Sequence, residues 1–405
     1  MYLATWAQGA SCPSSSPGLG KSRGLDNVDR LGAALKNIFT VNLGARPGEK
    51  VLVFTDLIPD GAAMDPVERT RRGGLVRVAR AAADAGRALG LDVRYTEFEA
   101  LGSHGTEPGE GLWRAAFGDE AVDALVKDGL LSSIRDKKAG EKEVREARRL
   151  VEGNRSAAAG AVVALTNYST SHTRFRDLLT SVAGARYASM PLFEEDMLWG
   201  SMQADWDAVE RRCARIAAAF KGGRSVRVTT GDGTDISFGI EGRPVMLDTG
   251  ILREAGSFSN LPAGEVYMAP VEGTAEGMLV LQWAPNRRLS SPLKVRVEGG
   301  LAREVLGDEP YRKELEANLA KRPDNRNIAE LGIGANDRAS RPDNVLESEK
   351  IMGTIHIAFG DNSSMGGIVS TPFHQDFVYF GPTLVVRTED GERTVIKEGW
   401  LLVEE

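Results

Sequence analysis

At 405 residues the chain exceeds what one hydrophobic core usually supports, so two domains are expected. Its 42% hydrophobic and 26% charged residues are ordinary for a globular protein, and no apolar run reaches the about 18 residues that suggest a membrane span. The net charge of −7, with Lys and Arg scattered along the chain, argues against nucleic acid as the main partner.

Residues 1–25 are rich in Ser, Gly and Pro and read as a flexible leader, without the apolar core of a secretory signal. Cys12 falls in this leader, and Cys213 is the other of the two cysteines. Such sparse use fits a reducing compartment, so the protein is expected in the cytoplasm without a disulfide. Residues 26–200 then read as an α/β domain. "DNVDRLGAALKNIFTVNLG" has helical spacing and stops at a glycine. "GEKVLVFTDL" reads as a buried strand, "ERTRRGGLVRVARAAADAGRALG" as an amphipathic helix and "LDVRYTEFEA" as a second strand. Strand, helix, strand predicts a βαβ unit in a parallel sheet. "GAVVALTNYST" is a further buried strand, followed by a helix at "TRFRDLLTSVA" and another at "DWDAVERRCARIAAAFKGG". Near residue 225 the texture changes. "SVRVTTGDGTDISFGIEGRPV" alternates around glycine turns and predicts a hairpin. Residues 201–405 are accordingly expected to form a β-rich α+β domain, with one helical break at "GDEPYRKELEANLAKR".

The chemistry-bearing residues concentrate in that second domain. In "FHQDF", His374 and Asp376 are two apart and share one face of a strand, a compact pair for a divalent ion. The bland alternative is an Asp orienting a buried neutral His. His356, in the strand-like "GTIHIAFGDN", can be brought back to the same point by a turn through "NSSMGG". In "AELGIGAND", Glu330 shares its parity with Gly332 and Gly334. Glycines inside a strand mark the close approach of a ligand or another backbone. Glu265 opens the apolar run "EVYMAP", where an unpaired carboxylate is costly to bury. In the first domain, His172 lies in "NYSTSHTRFR" between a strand and a helix, where loops point at clefts. There it could touch substrate, with Arg174 or Arg176 meeting a carboxylate. Helix capping by Ser171 or Thr173 is the plain alternative. His104 reads as a loop residue without a role.

"LPAGEVYMAPVEG", "AELGIGAN", "GTIHIAFGDN" and "HQDFV", in this order, resemble the M29 family of metallo-aminopeptidases, the aminopeptidase T group. The likeness spans mainly residues 225–390. It implies a dinuclear centre of zinc, cobalt or manganese held by Glu265, Glu330, His356, His374 and Asp376. Glu330 and His172 are the expected catalytic residues. The implied activity is removal of N-terminal residues from short peptides in an enclosed homodimer. The family's tyrosine ligand does not carry over. Ser363 stands in its place, and Asp361, Ser363 and Ser364 are further ligand or substrate contacts to consider. A second reading follows from the same residues. The M29-like group is similar to ring-cleaving dioxygenases of dihydroxypyridines, whose single Fe(II) is held by His, Ser, His and Asp. His356, His374 and Asp376 form a two-histidine, one-carboxylate set of that type.

Overall fold

The computed structural model describes residues 31–403 except 63 and 65. The leader expected over 1–25, with Cys12, lies outside the described residues. The first helix covers 31–37 and runs into a π-helical turn, Ile38–Asn42. It stops before Gly44, whose φ of +57° suits a residue without a side chain.

Strands Lys50–Leu57, Asp92–Glu99, Ala161–Ala164, Arg186–Ser189 and Phe258–Asn260 form an all-parallel sheet. Val51, Val53 and Val163 enter one core, while Leu52, Phe54, Val162 and Ala164 enter another on the opposite face. Burial on both faces explains why this strand reads as an unbroken apolar run. Lys50–Leu57 has Asp92–Glu99 on one side and Ala161–Ala164 on the other. The strand order therefore reverses there, leaving a crevice at the carboxyl ends of these strands. The last strand, Phe258–Asn260, comes from the second half of the chain. Four short helices, Glu110–Phe117, Asp119–Lys127, Leu130–Arg135 and Glu141–Gly153, pack over one face. Gly118, Gly129 and Gly140 separate them, so the first three are too short to show a sustained period.

The rest is sheet. An eight-stranded sheet contains the expected hairpin, Gly223–Thr229 against Asp235–Gly239, with "GDGT" as its turn. The helix Trp206–Ala219 starts at Asp205, whose side chain accepts from Ala208 N–H. The five-stranded third sheet is antiparallel, in the order His374–Tyr379, Ile355–Gly360, Ile328–Gly334, Glu265–Met268, Met246–Asp248. The mixed architecture is thus the parallel α/β sheet plus β-rich sheets expected from the sequence. Among the described residues no helix is long and apolar enough to cross a membrane.

Candidate metal centre

The third sheet has two dissimilar faces. Leu331, Ile333, Ile355, Ile357, Phe359, Phe377 and Val266 alternate into the core. The other face carries His374, Asp376, His356, Glu330 and Glu265, interleaved with small residues. Glu330 is paired across to Ala358, which in turn faces Asp376. His356 faces Gly332, and Glu265 faces Gly334. Alternation puts the donors on one face, and the small partners between them leave room for their side chains to meet.

Gly332 shows this most directly. A Cβ there would lie 2.6 Å from His356 Cδ2 and closer still to Nε2 and Cε1. At Gly334 it would meet the backbone of Ile351. The close approach expected from these glycines is therefore that of an imidazole at one and of main chain at the other.

Glu330 is the hub. One oxygen lies 3.2 Å from His356 Nε2 and the other 3.2 Å from His374 Nε2. Glu265 Oε2 is 3.4 Å from His356 Nε2, and Asp376 Oδ2 is 3.4 Å from His374 Nε2. Two groups result, each able to hold an ion: Glu265, Glu330 and His356 inside, and Glu330, His374 and Asp376 outside. They share Glu330. The inner group is enclosed, with His356 1% exposed, whereas the His374 side chain is 30% exposed. His356, His374 and Asp376 thus stand in two adjoining groups, with Glu330 between the imidazoles.

The donor chemistry fits a cation. Glu265 Oε2 and Asp376 Oδ1 are buried without a hydrogen bond, as is His356 Nδ1. His374 Nδ1 lies 2.8 Å from the carbonyl oxygen of Asp361. A carbonyl only accepts, so Nδ1 carries a proton and Nε2 is the nitrogen turned toward Glu330 and Asp376, where it can take a second proton or an ion. This is the support that metal-binding histidines usually have.

The crowded donors shift one another's proton affinities. Burial alone would raise Glu330, but hydrogen bonds from His356 and His374 outweigh it and hold the carboxyl well below its usual range. Burial resists charge on His356, yet Glu330 and Glu265 push it up to about 9. Against the same burial, Asp376 and Glu330 raise His374 well above its ordinary value. Burial pushes Asp248 up to about 7 and Glu349 up to about 8. The pocket holds more carboxylates than cations, which is what an ion would relieve.

The sequence reading missed Lys350, Glu349 and Asp248. Lys350 is wholly buried, and its Nζ donates to Glu265 Oε1 at 2.6 Å and Glu349 Oε2 at 3.0 Å. The charged "ESEK" reads as an exposed turn, and nothing local says that the chain turns it inward.

The remaining expected residues sit around this core. The Asp361 carboxylate accepts from Ser363 Oγ and from Thr371 N–H, which braces the loop between the histidines. Ser364 is exposed in that loop. His172 is exposed at the cleft. Although its surface is open, the protein atoms crowded around the ring displace water and lower its pKa, helped by the charges of His374 and Arg176 and opposed by Asp361. Arg174 pairs with Asp177 on its own helix at 3.5 Å, while its backbone N–H donates to Glu107. Thr173 is the helix cap, accepting from Arg176 N–H. The loop is anchored by Asp56, whose carboxylate accepts from the backbone N–H groups of Asn167 and Tyr168. His104, expected to be idle, accepts from Ser169 N–H at 3.0 Å and packs against Tyr168. His104 and Asn167 also line a cavity of about 580 Å³ with Arg72, Phe193 and Tyr311. The donors themselves lie outside that lining. Cys213 is buried and free.

A family model described as "NicX: 2,5-dihydroxypyridine 5,6-dioxygenase" matches residues 135–402, a span that holds all five donors. Among solved structures, the chain is similar to a 2,5-dihydroxypyridine dioxygenase from Pseudomonas putida KT2440. The TM-score is 0.64 at 20% identity, covering 93% of this chain and 98% of that one. It is also similar to wild-type AmpT from Thermus thermophilus, with a TM-score of 0.53 at 16% identity over 93% of this chain and 99% of that one. At these identities the likeness shows the fold alone. No curated protein matches the chain.

Proposed function

The chain belongs to the 2,5-dihydroxypyridine 5,6-dioxygenase family, and from that premise we propose that it is a metal-dependent dioxygenase opening the ring of a hydroxylated nitrogen heteroaromatic. The expected kinship with the M29 aminopeptidases holds for the scaffold, while the family matched is that of the second reading.

One observation carries the proposal within the site. Only the outer group, Glu330, His374 and Asp376, has an exposed ligand, so it alone has a side from which a ring and dioxygen could approach. A single divalent ion there, Fe(II) under this reading, would supply Lewis acidity and electron transfer to dioxygen. The chain's own residues do the rest. Asp361 fixes His374 through its carbonyl, so that Nε2 stays turned inward. His172 is kept neutral by its surroundings and can accept the proton of a ring hydroxyl at the cleft. Asp56 sets the height of the loop that carries it. The ring would gain both atoms of dioxygen as its bond opens.

The test is anaerobic purification with Fe(II), followed by oxygen uptake with 2,5-dihydroxypyridine and metal counting by mass spectrometry. One iron per chain and one dioxygen consumed per ring lost are expected. The two donor groups sharing Glu330 support a second reading, a dinuclear aminopeptidase acting on short peptides. Two zinc or cobalt ions per chain, with aminoacyl-p-nitroanilide turnover and no oxygen uptake, would replace the first reading by the second.

A further inference from the structure

Lys350 has no place in the ligand set, yet it is the charged group most tightly built into it. Its side chain is 0% exposed. Its backbone is held just past the end of the strand that carries Glu330: Asn336, two residues beyond that strand, donates its N–H to Lys350 O at 2.9 Å, and Lys350 N–H closes a turn on Glu347 O at 3.0 Å. The next residue, Ile351, packs its main chain against Gly334, where any side chain would overlap it. The main chain thus delivers Nζ to one fixed point between Glu265 and Glu349.

We propose that Lys350 is a positioning residue for the metal centre: it grips Glu265 by Oε1 and thereby turns Oε2 toward His356 and the ion. A carboxylate rotates freely about its last torsion unless one oxygen is held. The grip leaves Oε2 as the buried oxygen without a hydrogen bond, 3.4 Å from His356 Nε2. The ammonium also offsets one negative charge of the crowded pair Glu265 and Glu349 before an ion arrives, so the site is formed in advance rather than gathered by the ion. This inference rests on the metal-centre reading above.

The test measures Co(II) binding by calorimetry, together with the Co(II) absorption spectrum, for wild type, Lys350→Gln and Lys350→Met. Gln keeps a hydrogen-bond donor without the charge, so it retains a folded protein if Met does not. Both variants should bind Co(II) about 10–100-fold more weakly, the usual effect of losing an outer partner of a ligand, with an altered spectrum. In a Glu265→Gln background the same Lys350 substitutions should change affinity no further, because Lys350 acts through that carboxylate. Unchanged affinity in Lys350→Gln, or an equal loss in both backgrounds, overturns the assignment. Absence of Co(II) binding by the wild type would overturn the metal-centre reading itself, and this inference with it.

Discussion

Replacing Gly332 by Ala tests the centre at its tightest point. The added Cβ would stand 2.6 Å from His356 Cδ2, whereas ordinary van der Waals contact begins at 3.4 Å. The ring must therefore retreat by at least 0.8 Å, and by more at Nε2. A metal–nitrogen bond tolerates only about 0.2 Å of error. Retreat is also obstructed, because the strand Ile328–Gly334 is buried throughout and the His356 ring is enclosed. Overpacking of this kind costs about 1–3 kcal/mol of stability. Metal affinity should fall by more than the roughly 10–100-fold that follows loss of an outer partner, since a ligand itself moves. Denaturant titration of the metal-free protein and calorimetric metal binding measure the two effects separately. Gly231→Ala, where a Cβ meets nothing within 4 Å, serves as the control and should change stability by less than about 0.5 kcal/mol. If Gly332→Ala binds metal like the wild type, His356 does not occupy the space assigned to it, and the inner group is wrong.

The metal-free protein should lose stability as pH rises. The folded value of His356, about 9, lies above its unfolded value of about 6.5. Its contribution is therefore full below about pH 6.5 and gone above about 9. At about 1.4 kcal/mol per unit, this amounts to up to roughly 3 kcal/mol, read by urea denaturation in chelator from pH 6 to 9.5. Metal-loaded protein, whose imidazoles are neutral ligands, should lack that loss, and metal binding should release protons into weakly buffered solution. Asp56→Ala strips two backbone N–H groups of a buried acceptor and should cost about 3 kcal/mol. It should also speed proteolytic cleavage of the loop around residues 167–173, and unchanged cleavage would separate Asp56 from loop placement. His374→Ala should abolish tight metal binding while the protein stays folded by circular dichroism, because this side chain is the exposed donor of the outer group. Retained tight binding would move the ion to the inner group.

Much of this protein was legible along the chain because its signals are local. Apolar runs and helical periods marked the parallel sheet with its helix, and glycine turns marked the hairpin near residue 225. Two-residue spacing placed His374 beside Asp376 and Glu330 beside two glycines, because strand geometry repeats every two residues. The three helices over 110–135 stayed illegible because each is shorter than the window of about 11 residues that reveals a period. Which atoms meet was decided only by pairing between strands far apart in sequence. The register that sets His356 opposite Gly332 makes Glu330 a bridge between imidazoles rather than a neighbour of one. The same holds for Lys350. Nothing in "ESEK" distinguishes an inward lysine from a solvated one, and only the backbone bonds that hold it beside Asn336, just past the strand of Glu330, send the ammonium to Glu265. Residue types and spacing fixed the donors. Strand register and a buried charge, both properties of the folded chain alone, arranged them into two joined groups with one open side.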